Sequence, residues 1–345
     1  MSSNTATHIE TDLQARPAGL ARAALRRLGA ARQLLLAFAS LIGLLIIFSV
    51  LRPDSFMTGQ NLVGILTATT VIGVMAIGAT FVIITAGIDL SIGVLMTFTA
   101  VCAGVFMVNW GWPMALGVPA TIAVGALVGC VSGLVITRMR VTPFIATLGM
   151  MMLLKGLSLI ITEARPIYFS DVEGYDGIAL GSVVGQIFPA LPLPNGVLIY
   201  AAVAVVASVL LKRTALGRYT YALGSNEEAV RLSGVNVGRW KVVIYALGGA
   251  ICGISGLLIS SRLNSAQPAL GQGYELDAIA AVVIGGTSLS GGSGSILGTV
   301  IGAFIMSVLI NGLRIMSVPD EWQMVLTGLI IVIAVYADNL RHKKR

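Results

Sequence analysis

Along most of this chain, apolar residues come in blocks long enough to cross a bilayer, separated by short polar clusters. A hydrocarbon core of about 30 Å needs roughly 20 helical residues. Windows of that length give ten candidate spans, at 34–51, 61–85, 90–108, 113–136, 143–162, 196–211, 241–261, 275–289, 295–313 and 322–337. The eighth is short and broken by glycine. The pattern predicts an all-α fold, a polytopic transmembrane helical bundle of about ten spans. Residues 1–33 form an N-terminal tail, 34–338 the membrane domain with an outer loop at 163–195 and a polar segment at 212–240, and 339–345 a basic tail.

The polar clusters orient the bundle. With both termini in the cytoplasm, residues 1–33, 137–142, 212–241 and the tail from 339 share one side and hold seventeen of the 22 Lys and Arg. The 163–195 loop on the other side carries Glu163, Asp171, Glu173 and Asp176 against Arg165 alone. Basic loops mark the cytoplasmic face. The first 33 residues, with Arg16, Arg22, Arg26, Arg27 and Arg32, precede an apolar block that starts too late and runs too long for a signal peptide. They are expected to remain as a cytoplasmic tail.

Composition agrees. Hydrophobic residues make up 56% of the 345 and charged ones 11%, against about 25% charged in a soluble domain. The net charge of +7 follows from the basic loops, and no basic run interleaved with aromatics suggests nucleic acid. Cys102, Cys130 and Cys252 lie in apolar blocks without metal-site spacing, and His8 and His342 sit in the tails. Glycine is abundant, at 41 residues. Gly125, Gly129 and Gly133 recur every fourth position, as do Gly294, Gly298 and Gly302. Such faces are packing seams, within one chain or toward a second copy.

Two regions carry candidate chemistry. The first is the polar stretch from Thr214 to Gly234. Ser225 and Glu228 have capping-box spacing, Gly234 suits a left-handed stop, and a helix of about two turns is expected between them. Ala229 and Leu232 share a face of it, while Glu227, Glu228 and Arg231 stay polar. It is either a loop helix lying on its own bundle or a docking element for a separate cytoplasmic protein. The second is a pair of breaks. Gly87-Ile-Asp-Leu-Ser-Ile-Gly93 and Gly286-Thr-Ser-Leu-Ser-Gly-Gly292 match at four of seven positions, each between two apolar blocks, as expected of related transporter halves. Thr85, Asp89 and Ser91 of one and Thr287, Ser288 and Ser290 of the other line a polar pathway if the breaks lie at membrane depth. If they are cytoplasmic turns, Asp89 is a helix cap. Lys155 either snorkels to the outer interface or faces the pathway. Glu275 and Asp277 open the eighth span from the outside, as carboxylates suiting a helix N-terminus or as pathway groups.

The chain has no phosphate-binding Gly-x-x-x-x-Gly-Lys-Ser/Thr loop, voltage-sensor arginine spacing or ion-filter sequence. Hydroxyls with few charges suit a neutral polar solute. An ion-coupled secondary transporter remains the alternative, with Asp89 and Lys155 its only coupling candidates. An intramembrane hydrolase is disfavoured, since no span holds His or facing carboxylates.

The stretch Gly217-Arg-Tyr-Thr-Tyr-Ala-Leu-Gly-Ser-Asn-Glu-Glu-Ala-Val-Arg-Leu-Ser-Gly-Val-Asn236 resembles the membrane permeases of bacterial ABC sugar importers, of the ribose type. So do Ile84-Thr-Ala-Gly-Ile-Asp-Leu-Ser-Ile-Gly93, Thr142-Pro-Phe-Ile-Ala-Thr-Leu-Gly149, Ser265-Ala-Gln-Pro268 and the run from Gly273 to Leu289. The resemblance covers residue 34 to the C-terminus. It implies a multi-pass permease of the bacterial inner membrane, importing a monosaccharide such as ribose or a similar pentose and not itself an enzyme. It also implies a second permease copy, a periplasmic sugar-binding protein meeting loops 163–195 and 262–275, and a cytoplasmic ABC ATPase. ATP and Mg would be bound by that ATPase, with no cofactor in this chain. Residues 214–236 would be the ATPase-coupling region, with Arg218, Ser225, Glu227, Glu228, Arg231 and Gly234 at its centre.

Overall fold

The computed structural model describes residues 34–188 and 192–343. The tail expected at 1–33, with its five arginines and His8, and residues 344–345 lie outside the described residues.

Among the described residues, eight helices are long and apolar enough to cross a membrane: α1 (Leu34–Leu51), α3 (Gly59–Ile84), α4 with the π-helical turn that extends it (Ile92–Asn109), α5 (Met114–Arg138), α6 (Pro143–Ile161), α8 (Asn195–Arg213), α11 (Val237–Leu263) and α13 (Ile296–Ile315). Each falls within a few residues of an expected span. Short helices α2 (Pro53–Phe56), α7 (Val183–Ile187), α9 (Ala215–Ser225) and α10 (Glu227–Leu232) occupy the connections. The remaining expected spans are α12 (Tyr274–Ile284) and α14 (Asp320–Lys343). The latter continues as helix into the segment read as a tail. The 11 residues of α12 cover about 16 Å at 1.5 Å per residue, about half the bilayer core.

Helices α3, α4, α11 and α13 are mostly buried and form the centre of the bundle, while α1, α6 and α8 expose most of their apolar surface. Exposed Phe144, Ile145, Met152, Leu153 and Ile160 on α6 form such a face, as lipid solvation requires.

The glycine seams pack within the chain. A methyl on Gly125 would meet the Gly249 carbonyl, one on Gly129 the Tyr245 carbonyl, and one on Gly133 the Val242 Cα. Thus α5 and α11 run backbone to backbone, a proximity that only small residues allow. Gly298 and Gly302 bring α13 equally close to Ala281 of α12 and to Gly285, which caps that helix.

Residues 163–188 of the expected outer loop lie over the outer end of α11. The loop's strand β1 (Ile167–Tyr168) pairs antiparallel with β2 (Ser265–Ala266), Ile167 opposite Ala266. The Tyr175 hydroxyl lies 2.6 Å from Ser260 Oγ, and Ser261 Oγ donates to the Tyr175 carbonyl at 2.7 Å. The two outer loops therefore form one surface.

Candidate functional site

Helix α3 ends in a left-handed residue, Ala86 at φ 61°, and α12 ends in Gly286 at φ 93°. The Gly87 amide closes onto the Val82 carbonyl at 3.2 Å, and the Thr287 amide closes onto Val282 at 3.1 Å. A tight polar turn follows each. Asp89 Oδ1 accepts the Ser91 amide at 2.9 Å and the Ser91 hydroxyl at 2.6 Å. Ser288 Oγ accepts the Ser290 amide at 3.2 Å. The sequence echo is thus a structural one, the same helix stop and the same i to i+2 bond.

The first break packs against the middle of α11. Gly87 abuts the Tyr245 hydroxyl, and Asp89 is within electrostatic reach of Tyr245 and Cys252. Those residues lie about 12 and 22 Å along α11 at 1.5 Å per residue. Asp89 is 7% exposed and caps the Ser91 turn; the α4 N-cap is Ser91, without a side-chain cap bond. Thr147 of α6 holds the same turn from outside, accepting the Leu90 amide at 3.2 Å.

The two breaks touch. The Gly292 amide donates to the Ile84 carbonyl at 2.8 Å, and Thr80 and Thr299 join α3 to α13 through their hydroxyls at 2.7 Å. Thr85, at the end of α3, turns its hydroxyl back to the Val82 carbonyl at 2.7 Å. Thr287 and Ser288 are buried and Ser290 is exposed. Asp277 does not join this group. It sits at the opposite, outer end of α12, in a cleft with Arg262, Tyr274 and Arg314. The sequence-predicted pathway residues therefore divide into an inner and an outer set. Glu275 is buried beside Gly93 and accepts the Gly273 amide at 3.0 Å, closing the first turn of α12. Lys155 reaches the outer loop, donating to Gln272 Oε1 at 2.7 Å, which is the snorkelling geometry.

Sequence reading missed α9. Thr214 caps it, and Gly217, Thr220 and Leu223 form its buried face. It lies against both breaks. Gly224 meets the Ile84 carbonyl and the Gly292 amide, and the Tyr221 hydroxyl donates to the Gly294 carbonyl at 2.8 Å. Burial pushes the Tyr221 phenol above its ordinary value, so it stays a donor. The signal available beforehand was Leu216, Thr220 and Leu223 at helical spacing behind a threonine cap.

Helix α10 follows directly. Its cap is Asn226, whose Oδ1 accepts the Ala229 amide at 2.9 Å. The Ser225–Glu228 capping box does not form, because α9 extends through Ser225, which packs on Gly292. Gly234 has the expected left-handed φ of 81°. Val230 faces inward, and Leu232 is 81% exposed, with Ala229 exposed beside it. Glu227 pairs with Lys241 at 2.6 Å and with Arg231 at 3.4 Å, and Arg231 also reaches Glu228 at 3.1 Å. Arg218 is exposed on α9. A groove of about 720 Å³, lined by Arg140, Glu227, Arg231 and Lys241 among others, runs beside α10. Among the described residues no group of His, Cys, Asp and Glu could hold a metal ion.

A family profile described as branched-chain amino acid transport system / permease component matches residues 61–335. The ribose import permease of Haemophilus influenzae is 43% identical over 311 residues, 89% of this chain and 94% of the relative. That of Bacillus subtilis is 42% identical, across 88% and 91% of the two chains. The fructose import permease of Rhizobium meliloti is 39% identical across 86% and 82%. No solved structure matches significantly. With most of its length matched in each comparison, this chain belongs to the family of transport-system permease components, among the ribose-type sugar permeases.

Proposed function

We propose that this chain is the membrane-spanning subunit of an ATP-driven importer of a monosaccharide, ribose or a similar pentose, in a bacterial inner membrane. Two copies form the pathway, a periplasmic sugar-binding protein delivers the sugar to the joined outer loops, and a cytoplasmic ATPase binds ATP and Mg. The observation that carries this reading is the α9–α10 unit. Its outer helix offers exposed Ala229 and Leu232, rimmed by Glu227, Glu228 and Arg231. Its inner helix bonds to Gly294, next to the second break, and packs against Ile84 and Gly292. A helix of six residues has no stability of its own in water, and an isolated leucine this exposed suits a protein partner. Motion of α10 reaches Thr85, Asp89 and Ser91 and Thr287, Ser288 and Ser290 through one short rigid helix, the arrangement a rigid-body switch needs.

The test is co-purification from the native membrane with a tag on this chain. An ATPase that accompanies the wild type and is lost in the double variant Glu228→Arg, Arg231→Glu supports the reading. Sugar uptake by the purified chain alone in liposomes would overturn it.

A further inference from the structure

We infer that the cleft at the outer end of α12 is a receiving site for the sugar, in which Asp277 accepts from ring hydroxyls while Arg262 and Arg314 donate to them. The inference rests on the sugar-permease reading and assigns it a place. The cleft measures about 370 Å³ and opens between the outer ends of α3, α11, α12 and α13, within the size range of small-molecule sites, about 300–1,000 Å³. Lipid contact does not explain it, because three charged side chains, Asp277, Arg262 and Arg314, line it, and charges in a span face a polar cavity.

Its polar groups are unspent. Asp277 and the two guanidinium groups lie within electrostatic reach of one another or of Tyr274, yet among the described residues the ion pairs are those of Glu227 and Glu228 only. Ser307, 3% exposed, lines the cleft with no partner for its Oγ. Asn311 bonds to Asn61 through Nδ2 at 2.9 Å but leaves its buried Oδ1 without a partner. An unmade bond at a buried polar atom is costly. Such a set offers acceptors and donors side by side, with the Tyr274 ring and the Ile72 and Ile310 side chains as apolar surface. A simple anion would use the arginines and be repelled by Asp277. A neutral polyhydroxylated ring uses both signs. Helix α12 then leads about 16 Å from this cleft to the Gly286 break.

The test uses the complete importer, permease with its ATPase and binding protein, in proteoliposomes, with labelled D-ribose, D-xylose and D-fructose. ATP hydrolysis and complex recovery are measured alongside uptake. At limiting sugar, Asp277→Asn and Arg314→Gln should each lower uptake about tenfold or more, the worth of a charge-assisted hydrogen bond, with complex recovery unchanged and partial rescue by Asp277→Glu. Removing the carboxylate should also make uptake newly sensitive to inorganic phosphate, a gain that a merely structural role does not produce. Uptake within about twofold of wild type in both variants, or phosphate inhibition already in the wild type, would overturn the site. If the wild type imports none of the three sugars, the function itself fails and this inference with it.

Discussion

A methyl group on Gly224 should disconnect sugar uptake from ATP hydrolysis. That position faces the Ile84 carbonyl and the Gly292 amide, both backbone, so neither neighbour can rotate aside. Carbon and oxygen atoms settle at about 3.5–4.0 Å, and α9 must back away by on the order of 1–2 Å. The 2.8 Å bond from Tyr221 to the Gly294 carbonyl then exceeds hydrogen-bond range. Overpacking costs about 1–3 kcal/mol and an unsatisfied buried carbonyl about as much again. A shift of about 2 kcal/mol changes the balance between two pathway states roughly thirtyfold. The assay follows uptake and ATP hydrolysis in parallel in proteoliposomes of the whole importer. Gly156→Ala serves as control, since a methyl there meets nothing within 4 Å. Gly224→Ala should lose most uptake per ATP hydrolysed, and Tyr221→Phe, which alters no backbone contact, should lose a smaller part. Wild-type uptake per ATP in both variants would refute the reasoning.

Other outcomes follow from the same geometry. Leu232→Glu should leave the melting temperature of the purified permease unchanged and abolish ATPase co-purification, because that side chain is 81% exposed. Gly129→Leu drives a side chain into the Tyr245 backbone and should reduce detergent-stable protein sharply, at a cost above about 3 kcal/mol; fluorescence-detected size exclusion reads this directly. Asp89→Ala strands the Ser91 amide and hydroxyl and should destabilise by about 1–3 kcal/mol. Asp89→Asn keeps an acceptor oxygen and should lose less in the same thermal melt, with transport still driven by ATP. Glu227→Gln weakens its pair with Lys241 on a partly exposed surface, and should change stability by under about 1 kcal/mol.

The spans were legible because each depends on a stretch contiguous in sequence. Twenty apolar residues must be helical in lipid whatever surrounds them, and basic loops stay inside. The glycine spacing foretold close packing, and the Asp89 and Ser288 echo foretold paired breaks. The packing of the first break was not legible, since only a contact across the bundle brings Gly87 to the Tyr245 hydroxyl. Ser225 and Asn226 are comparable caps by residue type; the choice fell to Asn226 because the contact with Gly292 keeps Ser225 inside α9. Asp277 read either as a carboxylate suiting the outer start of a helix or as a pathway group; that it shares a cleft with Arg262, Tyr274 and Arg314 came from the structure alone. Sequence by itself determined which segments enter the membrane, because burial in lipid is decided residue by residue along the chain. Only the tertiary structure decided which polar groups meet, because those meetings depend on backbones brought together across the bundle by glycines far apart in sequence.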